Sequence, residues 1–174
     1  MDVEQAIGRL RVVRAFANRP VPEADVEAIL KAARRTGSSK NTQRWAFIVV
    51  THRERLERLS KVGDYAGHLA GAALSIALLT PDPARDHPYS LMWDLGRAAQ
   101  NMTLVAWNRG LGSVPATVYD QALCRAILGY PADQHCEYLL SFGYPANAAD
   151  LERPLRRGGR RPLAEMIHYE TWGG

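Results

Sequence analysis

The sequence predicts a single α+β domain, a three-layer α/β sandwich being the arrangement that fits best. Three observations carry this. At 174 residues, nearly half apolar and about a quarter charged, the chain is long enough to bury one sizeable core. It contains several short runs rich in β-branched and aromatic residues, and longer runs whose apolar positions recur every three or four residues. The two kinds of run alternate irregularly, unlike a regular βαβ series. No internal repeat or low-complexity tract interrupts them.

In order along the chain, residues 2–10 read as a first helix with Val3, Ile7 and Leu10 on one face. The stretch Asn18 to Gly37 reads as a second. Pro22 suits its first turn, Glu23 and Asp25 favour its N-terminal dipole, Val26, Ile29, Leu30 and Ala33 form its buried stripe, and Gly37 closes it. Trp45 to Val50 is a mostly buried strand. Arg53 to Val62 is a short charged helix with Leu56, Leu59 and Val62 inward, and Ala72 to Thr80 a second buried strand. Pro81 to Pro88 is an exposed loop. Leu91 to Arg109 is the longest helix, with Leu91, Leu95, Ala98, Met102, Val105 and Ala106 inward and Gly110 as its cap. Gly112 to Val118 is a strand bent at Pro115. Asp120 caps a helix running to about Leu128, and Cys136 to Pro145 is the last strand.

Composition excludes several classes. No run approaches the roughly 18 apolar residues a membrane span needs, and the polar start holds no hydrophobic signal core, so a cytoplasmic protein is expected. Cys124 and Cys136 fit neither a CxxC nor a zinc pattern and read as reduced structural thiols. The five histidines show no ligand spacing, so no metal is expected. No GxSxG elbow occurs. The glycines at 110 and 112 follow a helix and enter a strand, the reverse of a dinucleotide fingerprint.

Three features need more than a fold. The net charge of +4 is concentrated in two clusters, Arg9, Arg11 and Arg14 near the start and Arg153, Arg156, Arg157, Arg160 and Arg161 near the end. These are either two solvated patches or one anion site assembled from both chain ends, since the guanidinium fork suits a phosphate. The tail from Ala146 has no core of its own, yet carries Leu163, Met166, Ile167, Tyr169 and Trp172. Such side chains must dock, on their own domain or on a second subunit. A third oddity is the loop GSSKNTQRW, Gly37 to Trp45, which packs serine, lysine and amide donors in front of a core strand.

The segments RVVRAF, GSSKNTQRW, GLGSVPA, FGYP and GRRPLAE ending on HYETW, in this order and spacing, resemble the nitroreductase family of flavin enzymes. The resemblance runs along nearly the whole chain, 1–174 as one domain. It implies an α/β/α sandwich with a central, mostly antiparallel sheet, and a homodimer whose subunits exchange segments, with 146–174 docking on the partner. It further implies bound FMN, NADH or NADPH as co-substrate, and hydride transfer to flavin N5 followed by reduction of a nitroaromatic, quinone, enone or flavin in a ping-pong cycle. Arg11, Val12, Val13 and Arg14 fall on the phosphate-binding start, with Val12 where the family usually has serine. Ser38, Ser39 and Asn41 fall on the loop lent to the partner's flavin. Gln43 and Trp45 keep the end of that motif, while Arg44 and Gly37 replace prolines. Pro115, Ala116, Thr117 and Val118 fall against the N5 edge, His68 near the pyrimidine edge, and Arg160 and Arg161 on the C-terminal basic pair. No catalytic side chain is implied. Two other readings remain: a same-fold enzyme that dehalogenates its substrate or fragments the flavin, or, from a different class, a basic nucleic-acid-binding module. Aromatics interleaved with the arginines, which the latter needs, are lacking, so neither nucleic acid nor membrane is the expected partner.

Overall fold

The computed structural model describes residues 3–84, 88–154 and 159–173. Its elements are α1 (Val3–Arg9), α2 (Glu23–Arg34), β1 (Ala46–Val50), α3 (Arg53–Leu59), β2 (Leu74–Pro81), α4 (Pro88–Asn108), β3 (Gly112–Thr117), α5 (Gln121–Leu128) and β4 (Gln134–Gly143), with short 3-10 turns between them. The four strands form one sheet in the order β1-β2-β4-β3, and every neighbouring pair is antiparallel.

Strand pleating explains the continuous apolar runs, because successive side chains enter two different helical layers. Leu74, Ile76 and Leu78 of β2, with Leu140 and Phe142 of β4, pack on Ile29 and Ala33 of α2 and on Leu95, Ala98 and Met102 of α4. Ala77, Leu79 and Leu139 face the other way, onto Leu56 and Leu59 of α3, Leu69, and Cys124 and Ile127 of α5. This is the expected α+β sandwich. A bulge is superimposed on it: Leu78 pairs with Tyr138 but Leu79 with Cys136, leaving Glu137 as the extra residue. Without it, Cys136 would fall on the α4 face instead of the α5 layer.

The two sheet edges are finished differently. At β3, the N-terminal segment lies alongside, with the Val13 N–H donating to the Ser113 carbonyl at 3.0 Å and Phe16 bridging to Pro145. Gly112 permits this approach, since a Cβ there would sit 2.4 Å from that of Val13. Pro115 is tolerated inside β3 because β3 is an edge strand. Among the described residues, no strand lies beside the outer edge of β1.

Some details differ from the sequence expectation. α2 starts one residue after Pro22, which is its cap and not part of its first turn, and it ends at Arg34 with Arg35 still right-handed. Gly37 is thus not its terminator, whereas Gly110 does leave α4 in the left-handed conformation, at φ 73°. α3 ends at Leu59, three residues early. α1 buries none of its residues: Val3 and Ile7 remain 69% and 60% exposed. The tail behaves likewise, every described residue from Gly159 to Gly173 being exposed. Arg156 and Arg157 of the C-terminal cluster lie outside the described residues, as does part of the loop expected over Pro81 to Pro88. Among the described residues, no helix is long and apolar enough to cross a membrane.

Candidate functional site

The loop ahead of β1 is built from the donors that made its sequence conspicuous. Ser38 Oγ accepts the Gln43 N–H at 2.9 Å, the Thr42 hydroxyl donates to the Ser39 carbonyl at 2.9 Å, and the Gln43 amide donates to Asn41 Oδ1 at 3.0 Å. To close this way the chain turns left-handed at Lys40, Asn41 and Gln43, with φ of 51°, 57° and 50°. Only asparagine is at ease there. Ser39 and Asn41 are exposed and Ser38 is half-buried.

α4 holds this loop, which the sequence reading missed. Asp94 Oδ2 accepts the Ser39 N–H at 2.8 Å, Arg97 donates to the Gly37 carbonyl at 3.2 Å, and Asn101 donates to Thr36 Oγ1 at 2.7 Å. A carboxylate beside the apolar stripe of Leu91, Leu95, Ala98 and Met102 was the available signal, since a buried charge needs a partner.

Arg11 and Arg14, three residues apart at the opposite sheet edge, have different fates. Arg11 Nε donates to the Arg153 carbonyl at 2.8 Å and Nη1 to the Gly8 and Leu10 carbonyls at 2.8 and 2.9 Å, while Arg153 returns a hydrogen bond to the Val12 carbonyl. This clasp joins the two chain ends beside a small hollow lined by Arg9, Arg11 and Glu152. Arg14 is exposed and makes no hydrogen bond or ion pair among the described residues. Val12 is exposed, Val13 buried. Arg160 and Arg161 are exposed on the tail.

Because the Val13 N–H reaches the Ser113 carbonyl, alternation turns the backbone groups of Pro115 and Thr117 outward as well. Ala116 and Val118 are buried in the opposite layer. Pro115 joins two surroundings. Its ring helps line a cavity of about 540 Å³ between α4 and the sheet, with Leu78, Met92, Leu95, Ala99 and Tyr138. Its carbonyl lies close enough to His68, on the other face, to favour the charged ring.

His68 stands on the 3-10 turn Gly67–Gly71 with Nδ1 2.8 Å from Ser141 Oγ. Its Nε2 is buried and reaches no hydrogen-bond partner of good geometry among the described residues. Burial lowers its pKa, Arg14 lowers it further, and the Pro115 carbonyl only partly opposes them. The ring is therefore held neutral, with both nitrogens turned into the protein. No group of three or more His, Cys, Asp or Glu residues that could hold a metal occurs among the described residues.

The geometry thus brings Arg14, His68 and Pro115 together at one sheet edge and gathers Ser38, Ser39 and Asn41 at the other. Comparison with known proteins gives this arrangement its context. The model of the nitroreductase family matches residues 8–66 and 64–144, and the chain belongs to that family. A protein of Archaeoglobus fulgidus, provisionally named an NADH dehydrogenase/NAD(P)H nitroreductase, is 32% identical over 168 residues, spanning 93% of this chain and 94% of its own length. Among solved structures, an FMN-dependent nitroreductase from Clostridium difficile superposes with a TM-score of 0.80 at 25% identity, covering 95% of this chain and 99% of that one. A provisionally named nitroreductase from Desulfovibrio desulfuricans, solved in complex with FMN, gives a TM-score of 0.80 at 26% identity over 98% of each chain.

Proposed function

We propose that the protein is an NAD(P)H-dependent FMN oxidoreductase working as a homodimer, each of its two sites being assembled from both chains. The observation that carries this is the separation of the two half-sites. The 38–43 loop adjoins β1 and the Arg11–Arg14 segment adjoins β3, at opposite ends of the order β1-β2-β4-β3. Three strand spacings of about 4.8 Å put the edges roughly 14 Å apart, with a packed sheet between them. Two chains set side by side would bring the loop of one against the arginine segment of the other, so that a ligand touching both need not cross that sheet. The exposed apolar face of α1 and the exposed tail give the second chain something to cover.

The residues present suit FMN. Arg14 offers an uncommitted guanidinium for a phosphate, supplemented by Arg160 and Arg161. The outer edge of β3 offers the Pro115 carbonyl and the Thr117 N–H to the polar rim of a ring system, and the apolar cavity beside Pro115 suits its flat face. Ser38, Ser39 and Asn41 of the partner subunit would close over it. When bound, FMN supplies a two-electron carrier between a reduced nicotinamide and an acceptor such as a nitroaromatic, quinone, enone or free flavin. The chain's own part is to bind, orient and exclude water. His68, neutral and facing inward, pairs with Ser141 of β4 beside that edge and gives up no proton. Donor and acceptor take turns in one site.

The test is spectroscopic and kinetic. Purified or FMN-reconstituted protein should be yellow and dimeric, be bleached anaerobically by NADH or NADPH, and give parallel lines in double-reciprocal plots for two substrates. Colourless protein that takes up no FMN would overturn the proposal, and intersecting lines would overturn the ping-pong order.

A further inference from the structure

We infer that Asp94 is a positioning residue. Its carboxylate, with Arg97 and Asn101 further along α4, holds the 36–43 loop in a left-handed shape it would not keep alone, and thereby sets how tightly the ring end of the flavin is gripped. This rests on the two-chain FMN site proposed above.

Asp94 is only 7% exposed and is the one charged residue that is buried among the described residues. A carboxylate in that position must be satisfied, and the loop satisfies it: Oδ2 takes the Ser39 N–H, and Oδ1 lies 3.9 Å from Arg97 Nη1. The same Arg97 nitrogen holds the Gly37 carbonyl. Asn101 holds Thr36, whose hydroxyl donates back to the Ala32 carbonyl at the end of α2. Positions 94, 97 and 101 follow i, i+3, i+7 spacing, one stripe of α4. Three closely spaced loop positions, 36, 37 and 39, are thus fixed from a single rigid helix. The turn that follows holds left-handed Lys40, Asn41 and Gln43, a shape that persists only where surroundings over-determine it. A loop that merely joined α2 to β1 would need neither the turn nor the buried charge. The neighbouring stripe of α4, Met92, Leu95 and Ala99, lines the cavity beside Pro115, so one helix serves the cavity and the loop together.

The experiment uses the full-length protein, stripped of flavin, with FMN and riboflavin as probes and binding followed by fluorescence quenching. Asp94→Ala should weaken both by a similar factor, about tenfold or more, because the loop would meet the ring end that the two share. Asp94→Asn keeps an acceptor oxygen and should restore most of the affinity. A mixed dimer of an Asp94→Ala chain and an Arg14→Ala chain should keep one tight site, since one of its two sites receives neither defect. Wild-type affinity in Asp94→Ala, or equal weakness in Asp94→Asn, overturns the inference while leaving the proposed function standing. If Asp94→Ala does not fold, Arg97→Ala carries the test, with about threefold loss for both flavins expected and no change overturning it. Failure of the wild type to bind either flavin would instead sink the FMN reading, and this inference with it.

Discussion

The 36–43 loop and the 159–173 tail are both polar-rich, irregular and conspicuous in sequence, yet the chain treats them in opposite ways. The loop is fixed by three side chains of α4 and by hydrogen bonds of its own. Among the described residues the tail bonds to itself, as in the Gly173 N–H to His168 Nδ1 contact and the His168–Trp172 ring pair with centroids 4.3 Å apart. Its apolar side chains face solvent, Trp172 being 91% exposed. A preorganised element adds binding energy without losing it again to ordering. An apolar segment without a partner has that ordering still ahead of it. The loop is finished by its own chain, whereas the described tail is left uncovered by it.

The sharpest way to break this comparison is to remove the tail while sparing the clasp between Arg11 and Arg153. Truncation after Pro162 removes Leu163, Met166, Ile167, Tyr169 and Trp172. Burying such side chains is worth about 1.5–3 kcal/mol each, so the dimer dissociation constant should rise more than about 100-fold, and bound flavin should be shed on dilution. Sedimentation and the visible spectrum read this directly. A truncated chain that stays dimeric and yellow at micromolar concentration would show that the tail is idle.

The N-terminal segment is an intermediate case, docked on its own sheet through backbone contacts. Its weak point is Gly112, where an added Cβ would meet three Val13 side-chain atoms at 2.4–2.8 Å. Gly112→Ala should displace residues 11–14, destabilise the fold by about 1–3 kcal/mol, and weaken FMN more than riboflavin because the phosphate end loses Arg14. Equal weakening of both ligands would mean that this segment does not read the phosphate.

The sequence makes the elements legible wherever one face decides. α4 is fixed by its apolar spacing, β2 by its continuous apolar run, and the α5 start by Asp120, whose carboxylate accepts the Leu123 N–H at 2.8 Å. Family motifs made the residues at both sheet edges nameable. What could not be read was long-range pairing: Asp94 meets Ser39 across 55 positions and Arg11 meets Arg153 across 142. Nor does any local pattern announce the bulge at Glu137, which is a matter of register between β2 and β4. Gly37 misled because α2 stops on a right-handed residue and Thr36 is then drawn to α4, so no left-handed cap is needed.

His68 sharpens the comparison from the sheet side, because it links a 3-10 turn to β4 as Asp94 links a loop to α4. Its native pKa is lowered from 6.5, chiefly by burial and then by Arg14. The folded protein therefore binds fewer protons at this site than the unfolded chain does, in the window between the lowered value and 6.5. Stability is full above about pH 6.5 and falls as the pH drops through that window. Urea midpoints measured between about pH 7.5 and 5 should decline less in His68→Gln than in the wild type. A parallel decline would mean that His68 titrates alike in both states.

The smallest effect probes the loop itself. Lys40 holds φ 51° without being asparagine or glycine, and a left-handed residue of the ordinary kind costs roughly 1–2 kcal/mol. Glycine removes that cost but gives the unfolded chain more freedom, so the net gain for Lys40→Gly should be below about 1 kcal/mol. For a domain of this length that is a rise in Tm of at most about 2–4 °C. Asn41→Gly should gain less, since asparagine already tolerates the conformation. If α4 sets the loop's shape, flavin affinity should stay within about twofold in Lys40→Gly, because the Asp94, Arg97 and Asn101 contacts do not involve residue 40. A lower Tm would show that the left-handed turn carries no strain. A large loss of affinity at unchanged Tm would place the control of the loop in its tip and not in the helix beneath it.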